Sequence, residues 1–353
     1  MNGYTVFADT RALTRDDWLR LRRSGIGGSD AAAVLGVHPY RGPFAVYADK
    51  LGAAQAEEDT EAMRQGRDLE DYVARRFAEQ TSLRLRREYG MLRSVIHPCM
   101  IADVDRRVVG ERAGLECKTS KDVYLTRYKN GDYPLEYYTQ CLHYLAVTGW
   151  DRWYLAVLIY GTGLLSFTIE AAEVRDDLEA LIQAEEAFWR DHVQTRQPPP
   201  PDGLESTSAA LQALYPRADG LTLDAGPDDE ALMASLLDMK REKKTLDQRI
   251  AEAENRLKAR IGEAEALNGT SARATWKNQT RRSISEKKLR ELIPEFDMDS
   301  ITTEYKGLKL CIHSVCLAGF TALARACNAV FASQFTARVG FKILPISARS
   351  ISM

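Results

Sequence analysis

Asp105 precedes the triplet Glu116-Cys117-Lys118, and both stretches read as short extended segments, MIADVDRRVVG and AGLECKTS. Residues i and i+2 of a strand share a face, so Glu116 and Lys118 fall on one side of the pleat. If the two segments pair as a hairpin through residues 109–113, Asp105 comes to lie beside them. Two carboxylates and the main-chain carbonyl of Cys117 then offer hard oxygen donors, which suit Mg²⁺, or Mn²⁺ in its place, better than a soft-ligand metal. Glu70, on the helical segment before, is placed to complete the set. The chemistry this arrangement serves is phosphodiester hydrolysis. The metal neutralises developing charge and activates water, and Lys118 positions or deprotonates that water with a pKa expected to be lowered by burial and the nearby cation. The pattern alone is not specific, because a surface hairpin carrying an ion pair contains the same residues.

The elements that must hold these residues can be read from periodicity. GRDLEDYVARRFAEQ places Leu69, Val73 and Phe77 at a helical spacing. Three extended candidates follow: LRREYGMLRSV and the two segments above. LEYYTQCLHYLAVTG reads as a helix ending at Gly149, and RWYLAVLIYG and LLSFTIEAA read as two further strands. Helix, three strands, helix and two strands predict an α/β unit with a mixed sheet over residues 1–195. The proline run Pro198–Pro201 marks a linker over 196–229. An apolar stripe among Lys, Arg and Glu predicts a long helix or helical hairpin over 230–265. A small basic region, 266–310, contains the strand-like SARATWKN and the helix-like SEKKLRELIPE. The stretch 311–353 is an extension of uncertain character, too broken by His313 and Arg325 for a membrane span.

Composition sets outer limits. The chain has 353 residues, a net charge of −2 and 28% charged residues, an ordinary globular balance without overall basic character. Its six cysteines form no CxxC pair, which argues against a structural zinc site. The N-terminal residues lack an apolar signal core, so a reducing cytoplasm is the expected setting.

Together, WLRLRRSGIGGSDAAAVLG, GRDLE, MIADVDRRV, GLECKTS and YYTQCLHYLAVTG resemble the lambda-exonuclease-like, YqaJ-type viral recombinase family over residues 14 to about 170. The resemblance implies a PD-(D/E)XK, restriction-endonuclease-like core. It also implies metal-dependent degradation of duplex DNA from a 5′ end in a bacterial host, with phage or prophage origin, and a phage-type single-strand annealing protein as partner. Family members can be ring-shaped homo-oligomers. Residue by residue, it assigns Glu70 to the helical acid, Asp105 and Glu116 to the metal, and Lys118 to the E-x-K pair. Gln140 falls on the glutamine that assists near the scissile or terminal phosphate, and Arg22 and Ser29 on the pair that holds a 5′-terminal phosphate. One departure is Asp103, where the family commonly has a small or neutral polar residue. It is either a further metal ligand, on the face of Asp105 if alternation holds, or a charge that repels a terminal phosphate.

Other readings stay open beside these. An alternative for Gly25–Asp30 is a simple turn into a helix capped by Ser29 or Asp30. Gln140 has an alternative as a buried, satisfied polar residue, His143 reads as packed, and Trp18 as a core anchor. Between 270 and 290, seven basic residues stand against Glu286 alone, with Trp276 among them. Arg273, Lys277, Arg281 and Arg282 are thus candidates for DNA phosphate contact, or simply a solvated face. The alternatives to a 5′ exonuclease are a structure-dependent or single-strand endonuclease on the same fold, and a catalytically silent DNA-binding scaffold.

Overall fold

The protein is described by a computed structural model over residues 3–53, 60–123, 125–128 and 131–280. Arg281, Arg282, SEKKLRELIPE and the extension 311–353 lie outside the described residues. Those described form two compact units, one running to Pro216 and the other starting at Arg217.

The first unit is built on two sheets. β1 (Tyr4–Asp9), β3 (Gly90–Ser94) and β4 (Ile101–Asp103) make a small antiparallel sheet in the order β1-β3-β4. The larger sheet has the order β2-β5-β6-β7-β8, from β2 (Leu85–Arg87), β5 (Arg106–Val108), β6 (Ala113–Ser120), β7 (Arg152–Ile159) and β8 (Gly163–Glu170). β6 and β7 are parallel and the other pairs antiparallel, so the sheet is mixed, as expected. Two of the three extended candidates each divide into two strands: the chain crosses from one sheet to the other between β2 and β3, and again between β4 and β5.

Helices cover both faces. α4 (Glu61–Thr81), capped by Thr60 on the Met63 N–H, buries Val73 and Phe77 against Val108, Leu115 and Tyr154. α5 (Leu135–Thr148) makes the crossover that parallel β6 and β7 require, and it packs Cys141, Leu142 and Leu145 with Trp153, Leu155 and Val157. It ends at Gly149, whose φ of +63° is the left-handed turn expected of a C-terminal glycine. α1 (Arg15–Arg22), α2 (Gly28–Val34) and α3 (Pro43–Lys50) precede α4, and α6 (Arg175–Phe188) follows β8.

The segment read as a linker is partly a helix. α7 (Glu205–Leu214) buries Thr207 and Ala210 and packs Ala210, Leu211 and Leu214 near Phe44 and Ala48 of α3. Its apolar residues recur at helical spacing, and the proline run before it hid that pattern. In the second unit, α8 (Pro227–Ile261) is one continuous helix, followed by a hairpin of β9 (Ala266–Asn268) and β10 (Arg273–Thr275). No helix among the described residues is long and apolar enough to cross a membrane.

Candidate active site

β5 and β6 pair antiparallel, Arg106 opposite Leu115, which is the expected hairpin. Asp105 sits at the entrance to β5, and its Oδ2 accepts the Cys117 N–H at 2.8 Å. Along β6 the side chains alternate: Leu115 and Cys117 pack with α4, while Glu116 and Lys118 meet Gln140 of α5. Glu116 is 2% exposed, with Oε1 2.5 Å from Lys118 Nζ and 2.7 Å from Gln140 Nε2. Lys118 also donates to Gln140 Oε1 at 2.9 Å. Gln140 Nε2 donates in addition to the Tyr144 hydroxyl at 2.8 Å. Gln140 is therefore buried and satisfied, but by the E-x-K pair itself rather than by backbone.

Burial, Glu116 and Glu70 push the Asp105 carboxyl well above the ordinary carboxylate range, against Lys118 and the Cys117 N–H. Burial also raises Glu116, although Lys118 opposes it. Lys118 departs from expectation: burial acts to lower its pKa, but Glu116 and Asp105 outweigh that and hold it above the usual lysine value. Glu116 Oε2 is buried without a hydrogen-bond partner. An orphaned carboxylate oxygen beside the half-buried Asp105 carboxylate is a place where a hard cation fits.

Glu70 projects from α4 into the same cleft, but Arg106 holds it at 2.5 Å and Arg87 at 3.1 Å. Arg106 also donates to the Asp105 carbonyl at 2.6 Å and pairs with Asp71. Accordingly, no three His, Cys, Asp or Glu side chains among the described residues make a ready-formed metal cluster. The side-chain oxygens available to a cation here are those of Asp105 and Glu116, with Glu70 held beside them by Arg106 and Arg87.

A cleft of about 430 Å³ joins Glu70, Asp105 and Gln140 to Arg22, Ser29 and Asp103. Arg22 Nη2 donates to Ser29 Oγ at 2.6 Å and lies 3.6 Å from Asp30, with its guanidinium 4.9 Å from the Trp18 ring centre. Beneath them Asp30 is fully buried. It takes hydrogen bonds from Lys50 and Arg41 at 2.6 Å and from the Gly27 N–H at 3.1 Å. Burial works to raise the Asp30 pKa, yet Lys50, Arg41 and Arg22 hold it well below the usual range. The N-cap of α2 is Gly27, not Ser29 or Asp30, although the Asp30 side chain reaches back to the cap N–H. At Gly28 a Cβ would stand 2.6 Å from the Tyr144 ring, so α2 and α5 meet there only because the residue is glycine.

Two further expectations change. Trp18 is half-buried on the cleft wall rather than a core anchor, and its indole N–H donates to Asp103 Oδ2 at 2.8 Å. Asp103 does not follow Asp105: it ends β4 in the small sheet while Asp105 opens β5 in the large one, so alternation does not carry across. Arg22 and Glu70 are the charges acting on it. His143 is packed, as expected, with Nδ1 2.9 Å from Glu185 and Nε2 2.8 Å from the Ile101 carbonyl. Arg273 and Lys277 belong to the second unit, where Lys277 pairs with Glu265 at 3.4 Å.

A family model described as the YqaJ-like viral recombinase domain matches residues 17–151. The Bacillus subtilis (strain 168) protein YqaJ is 33% identical over 296 residues, covering 82% of this chain and 92% of that one. The chain belongs to the YqaJ-like viral recombinase family. Among solved structures, the alkaline exonuclease LHK-Exo from Laribacter hongkongensis is similar at 18% identity, with a TM-score of 0.43 and coverage of 52% of this chain and 96% of that one. A phage-related exonuclease from Haemophilus somnus 129PT is similar at 12% identity, with a TM-score of 0.39 and coverage of 51% and 99%.

The YqaJ-like match spans every residue of the cleft described here from Trp18 to Tyr144. Sequence reasoning missed Arg106, Arg87 and Tyr144, and the Asp30–Lys50–Arg41 group. Arg106 adjoins Asp105 and was within reach of a residue-by-residue reading. Lys50 and Arg41 carry no local signal, because only the packing of α3 against α2 brings them to Asp30.

Proposed function

We propose that this YqaJ-like chain is a Mg²⁺-dependent deoxyribonuclease that hydrolyses duplex DNA from 5′ ends and leaves 3′ single strands for recombination. The observation that carries this reading is the buried Glu116 beside Asp105, with Glu116 Oε2 unpartnered and Lys118 and Gln140 on its other oxygen. Asp105, Glu116 and the Cys117 carbonyl would hold the metal, with Glu70 as the further candidate beside them. When bound, Mg²⁺ supplies charge neutralisation at the phosphate and an activated water. Lys118, charged and fixed by Glu116 and Gln140, orients that water or the phosphoryl oxygen by hydrogen bonding. Gln140 keeps Glu116 and Lys118 at a set separation. Arg22 and Ser29, pre-paired at 2.6 Å, take the terminal phosphate, the guanidinium being suited to bidentate contact. The product strand suits a phage-type single-strand annealing protein as the downstream partner.

The test is digestion of end-labelled linear duplex against closed circular DNA, with Mg²⁺ or with EDTA. Loss of mononucleotides from 5′-labelled linear DNA, only with Mg²⁺, is expected. Cutting of the closed circle at a comparable rate would reject the exonuclease reading, and activity in EDTA would reject the metal.

A further inference from the structure

α8 leaves an apolar stripe without a partner among the described residues. Leu232, Met239, Leu246, Ile250 and Leu257 are each 45–67% exposed on a helix of 35 residues, about 52 Å long. Single exposed leucines are ordinary, but these five fall at spacings of seven, seven, four and seven, the heptad repeat of a coiled-coil seam. Written as a heptad, Leu236, Lys243, Ile250 and Leu257 occupy a, and Leu232, Met239, Leu246 and Ala253 occupy d.

We propose that the α8 seam pairs with α8 of a second copy of this chain, antiparallel and centred on Gln248. The charges beside the seam decide both occupant and direction. A parallel in-register pair sets Lys243 against its own copy in the core, and on the flank its attraction of Arg249 to Glu254 is offset by Glu242 against Asp247. The antiparallel register sets Leu246 against Ile250, Met239 against Leu257 and the long Lys243 against the small Ala253. Its flanks match Lys240 with Glu254 and Glu242 with Arg256, each twice by symmetry. Only Asp247 and Arg249, at the centre, meet their own kind. The flanking charges of α8 are thus complementary to themselves when reversed, with Leu236 then opposite Arg260 and Leu232 beyond the end of the partner helix, and they only balance when the helix is copied in parallel.

The experiment is sedimentation velocity on the full-length chain from about 1 to 100 μM, with helicity checked by circular dichroism. A monomer–dimer equilibrium is expected, with Leu246→Glu raising the dissociation constant at least about tenfold at unchanged helicity. Lys240→Glu should weaken the dimer by about tenfold, since it turns two attractions into repulsions, and adding Glu254→Lys should restore it. A monomer at every concentration, or an oligomer that Leu246→Glu leaves intact, overturns the proposal; the stripe is then covered from within the chain or by an unlike partner. A neutral Lys240→Glu with a weakened double variant overturns the antiparallel register, because in the parallel pair Lys240 faces Ser235 while Glu254 faces Arg249.

Discussion

Lys118 is bonded to Gln140, which lines the cleft that also holds Arg22, and the roles proposed for the two cations differ, so their removal should leave different signatures. Lys118→Ala should lower kcat by about 10²–10⁴-fold while duplex affinity measured in EDTA stays near wild type, because a positioned amine acts mainly in the transition state. Near-wild-type turnover would remove Lys118 from the chemistry. Arg22→Ala should instead erase the preference for 5′-phosphorylated over 5′-hydroxyl ends, with kcat on hydroxyl ends little changed. Asp103 is the residue to suspect if the wild type shows no such preference, because it brings a carboxylate to the wall that also carries Arg22. At this scale the sequence was informative where partners are near neighbours in the chain. Glu116 and Lys118 share a face by alternation alone, and the hairpin brings Asp105 to them. It was uninformative where the partner is tertiary: nothing local tells that Arg106 clasps Glu70 across 36 positions, or that Lys50 reaches Asp30.

Between elements, His143 ties α5 to α6 and to β4. Its Nε2 faces the Ile101 carbonyl, which can only accept, and its Nδ1 faces the Glu185 carboxylate, so both nitrogens are placed to donate from an imidazolium. Burial opposes that charge, but Glu185, the Ile101 carbonyl and the more distant Asp30 raise the His143 pKa above its ordinary value. A raised histidine pKa adds stability that is complete below the unfolded value of about 6.5 and is lost as pH rises through the folded value. Glu185, whose own pKa burial raises, contributes with the same sign at lower pH. Thermal melts from about pH 6 to pH 9 should therefore show the wild type losing more stability than His143→Gln. Parallel curves for the two proteins would mean that the pair does not titrate in that window. The elements themselves were legible where periodicity ran unbroken, as in α4 and α5. The strands before β6 were not, because a chain that changes sheets after three residues leaves no alternation long enough to read.

For the whole molecule, the position of α7 decides where the first unit can be cut. Every cleft residue precedes the proline run, which suggests a boundary near 195, yet α7 buries Ala210 against Phe44 and Ala48 of α3. Gly42, the N-cap of α3, also donates its N–H to Ser206 at 3.3 Å. α3 in turn carries Lys50 and, through it, the buried Asp30 that lies against Arg22. A chain ending at 216 should fold and keep metal-dependent cleavage. One ending at 195 should lose about 2–4 kcal/mol, the scale of uncovering a buried aromatic contact, and should lose 5′-phosphate preference before it loses turnover. Denaturant midpoints and end-preference assays on the two truncations check both statements, and equal stability would show that α7 is dispensable. Removing everything after 216 also deletes the seven basic residues between 270 and 290. If these touch DNA, the 1–216 chain should bind duplex with a log–log salt dependence shallower by about one unit for each lost phosphate contact. An unchanged slope would leave that cluster as a solvated face and place all DNA contacts of the enzyme in its first unit.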